Sequence, residues 1–295
     1  MKSHIVVFGM GDIGSAIASI LRKNKHAVNP WDKSPGRVSG QKSLFEIVPR
    51  AEIIFLCVPS WCLPSVVRSI KPFVHKQTIL VSLSKGLQAD SKKNAHEFLS
   101  DAFPDNPIMY FGGAMLANEL KAGMPGFGVL AGKNSVARER VANLFKGSPL
   151  KVTTSSDIVG VVSSGVLKNI YAIGLGMAKE LNWGENARAW FAFNANSEME
   201  LIVAHLGGKK GTASGVAGTI DLIATGFSTY SKNVEAGEMI VKKKKSIPQT
   251  EGVLSIEPLS KILKSEINKF PFLRAVYRAS TNKEEPQEVF RKLLK

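Results

Sequence analysis

Seven short runs rich in β-branched and aromatic residues fill the first half of the chain, and none follows. They fall at 4–8, 27–31, 53–58, 79–83, 108–111, 127–131 and 150–154. Helix-like segments lie between several of them, at 12–24, 61–70, 91–101 and 135–146. Strands alternating with helices on this spacing predict a parallel sheet covered on both faces. Pro30 cannot donate to an inner ladder, so it is expected at the end of its strand. Past about residue 155 apolar runs lengthen and helical spacing dominates: 157–181, 185–206, 214–226, 232–241, 256–267 and 285–294. Asp157 is placed to cap the first of these helices. At 295 residues the chain exceeds what one core usually holds. The expected organisation is an α/β domain over 1–155 and an all-helical domain over 156–295.

The charge balance is strongly basic, with 39 Lys+Arg against 24 Asp+Glu, a formal +15. Such an excess attracts anions. The one dense basic run, Lys242 to Lys245, has no interleaved aromatics and no nucleic-acid motif beside it. It reads as a solvated helix end, and no nucleic-acid partner is expected. Cys57 and Cys62 form no CxxC and no cluster with histidine, so neither a disulfide framework nor a metal site is expected. The chain enters its first strand-like run without a secretory segment, which points to the cytoplasm. The stretch 158–178 is long enough for a membrane span, but Lys168 sits at its middle. A central lysine disfavours insertion by roughly 2.5–3.5 kcal/mol. A buried helix is the expected outcome, with no membrane span.

Gly9, Gly11 and Gly14 form G-x-G-x-x-G between the first strand-like run and a helix carrying Ile13, Ile17, Ile20 and Leu21. In that context the pattern is the Rossmann dinucleotide fingerprint. Gly9 makes the tight turn, Gly11 offers bare backbone to the pyrophosphate, and Gly14 lets helix and strand approach. Asp12 and Ile13 complete the turn at the helix start, where free N–H groups and the dipole favour phosphate. Asp32, near the end of the second run, would accept the ribose 2′-OH of NAD. Lys33 beside it could instead hold NADP, so NAD is preferred with NADP as the second reading. Pro59 and Lys85 follow further strand-like runs, at the strand ends where ligands of such sheets collect.

Lys168 is the only charge between Asp157 and Lys179. Burying an ammonium costs several kcal/mol unless it is paired or its pKa falls. A lysine so placed is a candidate proton-transfer group, and Lys85 is a second lysine where a cofactor site is expected.

Ordered motifs extend this reading over nearly the whole chain. V-P-S ends at Ser60, S-K-G-L surrounds Lys85, and A-N-E-L-K-A-G-M-P runs from Ala117 to Pro125. L-K-N surrounds Lys168, then A-I-G-L-G-M ends at Met177 and G-E-N-A-R-A starts at Gly184. A-G-T-I-D-L surrounds Asp221, S-K-N starts at Ser231, E-G-V at Glu251, and A-V-Y-R ends at Arg278. In these motifs the chain resembles the NAD(P)-dependent glycerol-3-phosphate dehydrogenases. The resemblance implies a Rossmann domain followed by a helical catalytic domain. It also implies hydride transfer between sn-glycerol 3-phosphate and dihydroxyacetone phosphate, supplying glycerophospholipid precursors. Lys168 then matches the catalytic acid/base and Lys85 a second lysine that contacts the substrate. Asp221 and Thr225 match residues that orient the lysines. Lys232 and Asn233 match an Arg-Asn pair at the substrate phosphate, near the cofactor pyrophosphate. Glu251 and Pro59 fall at the cofactor, and Gly113 at the substrate. Such enzymes often pair, so a homodimer is implied by the resemblance alone.

The chain departs from the family pattern at several places. Lys232 replaces arginine and so lacks the bidentate fork. Gly112 to Glu119 reads G-G-A-M-L-A-N-E where the family has S-G-P-x-F-A-K-E. Asn194 stands where many relatives have arginine, and the stretch from Asp32 to Ala51 is short. Two alternatives stay open on these grounds: a related dehydrogenase with another small hydroxy or keto substrate, and an NAD(H)-binding protein without catalysis.

Overall fold

The structure is a computed structural model, and it describes residues 3–295. Two compact units divide the chain. The first runs to Ser84 and resumes over Lys93–Ile158; the second joins Lys85–Lys92 to Val159–Lys295. A division at 155/156 leaves Lys85–Lys92 with the first unit. The structure groups it with the second, because Leu87 is buried in that unit's core and its N–H donates to Ser255 Oγ at 3.0 Å.

The first unit is a seven-stranded sheet of β1 (His4–Phe8), β2 (Ala27–Trp31), β3 (Ile53–Leu56), β4 (Ile79–Ser82), β5 (Ile108–Gly112), β6 (Gly126–Gly132) and β7 (Leu150–Ser155). The order is β2-β1-β3-β4-β5-β6-β7. Its helices are α1 (Asp12–Lys23), α2 (Leu44–Ile47), α3 (Leu63–Ile70), α4 (Ala95–Ala102), α5 (Ala117–Lys121) and α6 (Ser135–Asn143). Side chains alternate across the sheet. Ile5 and Val7 pack with Ile17 and Leu21 of α1, while Val6 and Phe8 pack with Leu63, Ile70 and Leu99. Pro30 pairs opposite Val7, and β2 is an edge strand, where a missing donor costs nothing.

The sheet is not wholly parallel, because β6 runs antiparallel to β5. The connection between them holds only the five-residue α5. Such a helix spans roughly 7.5 Å, too little to carry the chain back along a strand. The chain therefore turns and re-enters from the end where β5 stops.

The second unit is helical: α7 (Ile158–Glu180), α8 (Glu185–His205), α9 (Asp221–Gly226), α10 (Lys232–Val241), α11 (Glu251–Leu263), α12 (Pro271–Ser280) and α13 (Pro286–Leu293). A π-turn, Val216–Ile220, leads into α9. Asp157 immediately precedes α7, and its N–H donates to Ser155 Oγ at 3.0 Å. The expected start of a helix at 256 falls inside α11, which begins at Glu251 because Thr250 caps it through Val253 N–H at 3.1 Å. Helix α12 was missed in sequence, although Phe272, Leu273, Val276 and Ala279 fall on one face at helical spacing. Helix α7 is apolar nearly all round and is the one described helix long and apolar enough to cross a membrane; 83% of its most apolar window is buried within the fold. Gly176 and Gly237 let α7 and α10 touch backbone to backbone: a Cβ on Gly176 would overlap Val234 O, and one on Gly237 would overlap Ile173 O. The Lys242–Lys245 run is exposed at the end of α10, where Lys242 pairs with Glu180 at 2.7 Å and Lys243 with Glu285 at 2.9 Å.

Candidate active site

Four of the residues singled out in sequence meet in the second unit. Helix α7 carries Lys168, whose side chain is 5% exposed, onto Asp221 and Thr225 of α9. Asp221 and Thr225 stand one turn apart, so both face the same way. Lys168 Nζ donates to Thr225 Oγ1 at 2.8 Å and reaches Asp221 Oδ1 at 3.1 Å. Thr225 Oγ1 in turn donates to Asp221 Oδ1 at 3.1 Å. The other carboxylate oxygen, Oδ2, accepts from Lys85 Nζ at 2.7 Å. One buried carboxylate thus holds two lysines at fixed positions.

The electrostatics follow from this geometry. Burial lowers Lys168 from the ordinary lysine value to about 8; the Lys85 charge assists, and Asp221 and Glu251 oppose. Burial would raise Asp221, but Lys168 and Lys85 together hold its carboxyl below the usual range. The cluster at neutral pH is an ionised aspartate with a lysine poised to give or take a proton.

A ladder of amides fixes the backbone around it. Asn169 Nδ2 donates to the Lys85 carbonyl at 3.1 Å, and Asn233 Nδ2 donates to Asn169 Oδ1 at 3.0 Å. Asn233 Oδ1 accepts from Gly252 N–H at 3.2 Å. The ladder ties Lys85, α7, α10 and α11 together, so Asn233 is a clasp as well as a candidate ligand. Asn169 and Ser255 were missed in sequence, since an amide or hydroxyl within an apolar helix does not announce its partner. Glu251 is the first residue of α11, and Ser255 Oγ donates to its carbonyl at 2.6 Å. Lys232 opens α10 on the exposed side, behind Ser231, whose Oγ accepts from Val234 N–H at 3.3 Å.

The remaining candidates lie in the first unit, at the carboxyl ends of its parallel strands. Gly9 (φ +86) turns the chain out of β1, and a Cβ on Gly14 would overlap the Gly9 carbonyl. Gly11 caps α1 without a side-chain partner, leaving N–H groups at the helix start. A Cβ on Gly11 would meet Arg37 Nη1 at 3.7 Å and otherwise open space. This bare cradle fits a dinucleotide pyrophosphate. Asp12 turns its exposed carboxylate toward Lys121 at 3.4 Å, so its backbone is what faces the turn; Ile13 packs toward the core. Pro59 follows β3, and Gly113 (φ +122) follows β5.

Asp32 is already engaged. Its Oδ2 accepts from Met10 N–H at 2.7 Å and its Oδ1 from Ser34 N–H at 2.8 Å. Burial would raise its pKa, but these N–H groups and Arg37 hold it below the ordinary range. The acid therefore ties the glycine turn to the loop after β2, whatever it does toward a ribose.

A glycine-turn sheet of this order, followed in the chain by a helical unit with a shared-aspartate lysine pair, defines a class: two-unit nicotinamide-dependent dehydrogenases. The comparisons with known proteins narrow it. Residues 33–138 match the model of the NAD-dependent glycerol-3-phosphate dehydrogenase N-terminus, and 157–291 that of its C-terminus. A glycerol-3-phosphate dehydrogenase [NAD(P)+] of Acaryochloris marina is 30% identical over 98% of this chain and 94% of its own length. One from Moorella thermoacetica is 33% identical over 82% of this chain and 78% of its own. The crystal structure of glycerol-3-phosphate dehydrogenase from Coxiella burnetii superposes with a TM-score of 0.90 at 25% identity, over 100% of this chain and 99% of that one. The fold also matches that of the Saccharomyces cerevisiae enzyme, with a TM-score of 0.83 at 19% identity over 98% of each chain. The chain belongs to the NAD(P)-dependent glycerol-3-phosphate dehydrogenase family.

Proposed function

We infer that the protein is an oxidoreductase interconverting sn-glycerol 3-phosphate and dihydroxyacetone phosphate with a nicotinamide dinucleotide. The reading is carried by the lysine pair on Asp221. A bound nicotinamide supplies the hydride acceptor or donor. The residues of this chain handle the proton. In the oxidising direction neutral Lys168 takes the hydroxyl proton at Nζ; in the reducing direction its ammonium returns that proton to the carbonyl oxygen. Lys85, anchored on Asp221 Oδ2, contacts the same substrate oxygen and polarises it. Asp221 stays ionised and sets the position of both lysines, and Thr225 fixes the direction of the Lys168 ammonium. Lys232 and Asn233 hold the substrate phosphate, with Gly113 also at the substrate. The glycine turn, Asp32, Pro59, Lys232 and Glu251 serve the dinucleotide in this reading.

Mixing the protein with dihydroxyacetone phosphate and NADH or NADPH, and following absorbance, tests it. Turnover that disappears in Lys168→Ala is the expected result. No turnover at high enzyme concentration would overturn it. Lys232 favours one further comparison: a ketone panel with and without phosphate, in which preference for an unphosphorylated ketone would replace the substrate assignment. The remaining expectations are NAD over NADP, a homodimer, and a cytoplasmic place in glycerophospholipid precursor supply. Their support is Asp32, the family pattern and the reaction's product, respectively. Relative KM values for the two cofactors, light scattering on the eluted protein and cell fractionation check them in turn.

A further inference from the structure

We propose that Arg37 is a ligand of the dinucleotide pyrophosphate, reaching over the glycine turn from the loop after β2. This rests on the reading of the first unit as a dinucleotide-binding fold. The glycine fingerprint provides only backbone N–H groups and a helix dipole at the pyrophosphate, with Gly11 as the point of closest approach. Arg37 Nη1 stands 3.7 Å from where a Cβ on Gly11 would lie, and nothing else crowds that space.

The loop is organised for this reach. Gly36 adopts φ +82, which favours glycine, and Arg37 N–H points back to Ser34 O at 3.4 Å. Ser34 N–H is held by Asp32 Oδ1, and the same carboxylate holds Met10 N–H of the glycine turn. Asp32 therefore joins the loop that carries Arg37 to the turn that Arg37 covers. The arrangement also answers an electrostatic problem. An ionised carboxylate beside a pyrophosphate site repels the ligand, and the Arg37 guanidinium, close enough to Gly11 to meet a Cβ there and to act on the Asp32 charge, offsets it. A guanidinium also matches phosphate oxygens with paired donors, a geometry lysine lacks. Lys33, exposed on the same loop, has no such position over Gly11.

Calorimetric binding to the 295-residue protein separates the sources of phosphate. In ADP-ribose the pyrophosphate is the one phosphate group; its 2′-phosphorylated form adds the phosphate peculiar to NADP. Arg37→Gln should weaken both ligands by the same factor, about tenfold to a hundredfold, the worth of hydrogen bonds to a charged group. Arg37→Lys should recover part of the loss. Arg37 is exposed, so both variants should keep the wild-type far-UV spectrum and unliganded Tm. Unchanged affinity for ADP-ribose overturns the proposal. A loss confined to the 2′-phosphorylated ligand also overturns it and assigns Arg37 to that phosphate instead. Failure of the wild type to bind either ligand brings down the dinucleotide reading of the unit itself, a different result from an unaffected variant.

Discussion

At Lys168 two large effects oppose each other. Burial favours the neutral amine, while Asp221 at 3.1 Å favours the ammonium, and the balance leaves the pKa at about 8. The sign of the pH dependence follows. In the proposed proton step alcohol oxidation uses the neutral amine, so its kcat/KM should rise with pH through about 8. Ketone reduction needs the ammonium, so its kcat/KM should fall over the same range. Asp221→Asn removes the main group that favours the ammonium and leaves Lys85 to repel it, so both midpoints should move to lower pH. Steady-state profiles in the two directions read this directly. Midpoints that stay fixed in Asp221→Asn would remove Lys168 from the proton step.

Helix crossings decide where the site residues stand. α7 and α10 touch through Gly176 and Gly237, and that closeness lets Asn233 reach Asn169. Gly237→Ala would push its methyl into the Ile173 carbonyl. It should cost about 1–3 kcal/mol in urea unfolding, the usual penalty of overpacking. It should also lower kcat/KM by about tenfold to a hundredfold, because an ångström of misplacement has that effect. A stability loss with kcat/KM intact would show that the Asn169–Asn233 contact does not serve the site.

Glu198 of α8 plays a comparable part at the start of α12. It accepts from Phe272 N–H at 2.8 Å, Leu273 N–H at 2.9 Å and Tyr171 Oη at 2.7 Å. An amide cannot accept with both ends, so Glu198→Gln should cost about 1–3 kcal/mol in urea unfolding. Burial raises this carboxyl despite its donors, so the folded state holds the proton more tightly than the unfolded chain. Its contribution is then greatest below the ordinary carboxyl value and is lost as pH rises through the folded one. That acid-side gain offsets the losses from carboxyls held low, such as Asp221 and Asp32, so stability should fall more steeply on acidification in Glu198→Gln than in the wild type. A variant as stable as the wild type would mean water replaces the cap.

What was legible in sequence follows the same division of scale. Strands β1 and β3 to β6 were readable as local apolar runs, while β2 and β7 were read from β-branched or aromatic residues at strand spacing. The direction of β6 was not, since it depends on the length of α5 against the strand it must return along. Helix α12 hid behind the 3-10 turn Lys264–Lys269 and the proline at its first position. In the cluster, Lys168 stood out as a charge among apolar neighbours, and Lys85, Asp221 and Thr225 came from motifs. Asn169 and Arg37 gave no such signal, because their meaning lies in partners distant in sequence.

At the scale of the molecule, each unit has its own buried core: the two faces of the sheet in one, and the packing around α7 in the other. A ligand that contacts one unit should therefore stabilise that unit first. ADP-ribose carries the adenosine and pyrophosphate but no nicotinamide, so it addresses the glycine turn of the α/β unit. At about a hundred times its Kd it adds roughly 2.7 kcal/mol to the state that binds it. For a unit of this size that is a rise of about 5–10 °C in its transition. Tryptophan emission separates the two, since Trp31 and Trp61 belong to the first unit and Trp183 and Trp190 to the second. A Trp31→Phe, Trp61→Phe variant reports the helical unit, and the reciprocal variant, Trp183→Phe, Trp190→Phe, reports the sheet. The sheet's midpoint should rise with ADP-ribose while the helical midpoint stays, or both should rise together if the molecule melts as one. A rise confined to the helical unit would place the adenosine half of the cofactor on the wrong side of the chain and overturn the glycine turn as its seat.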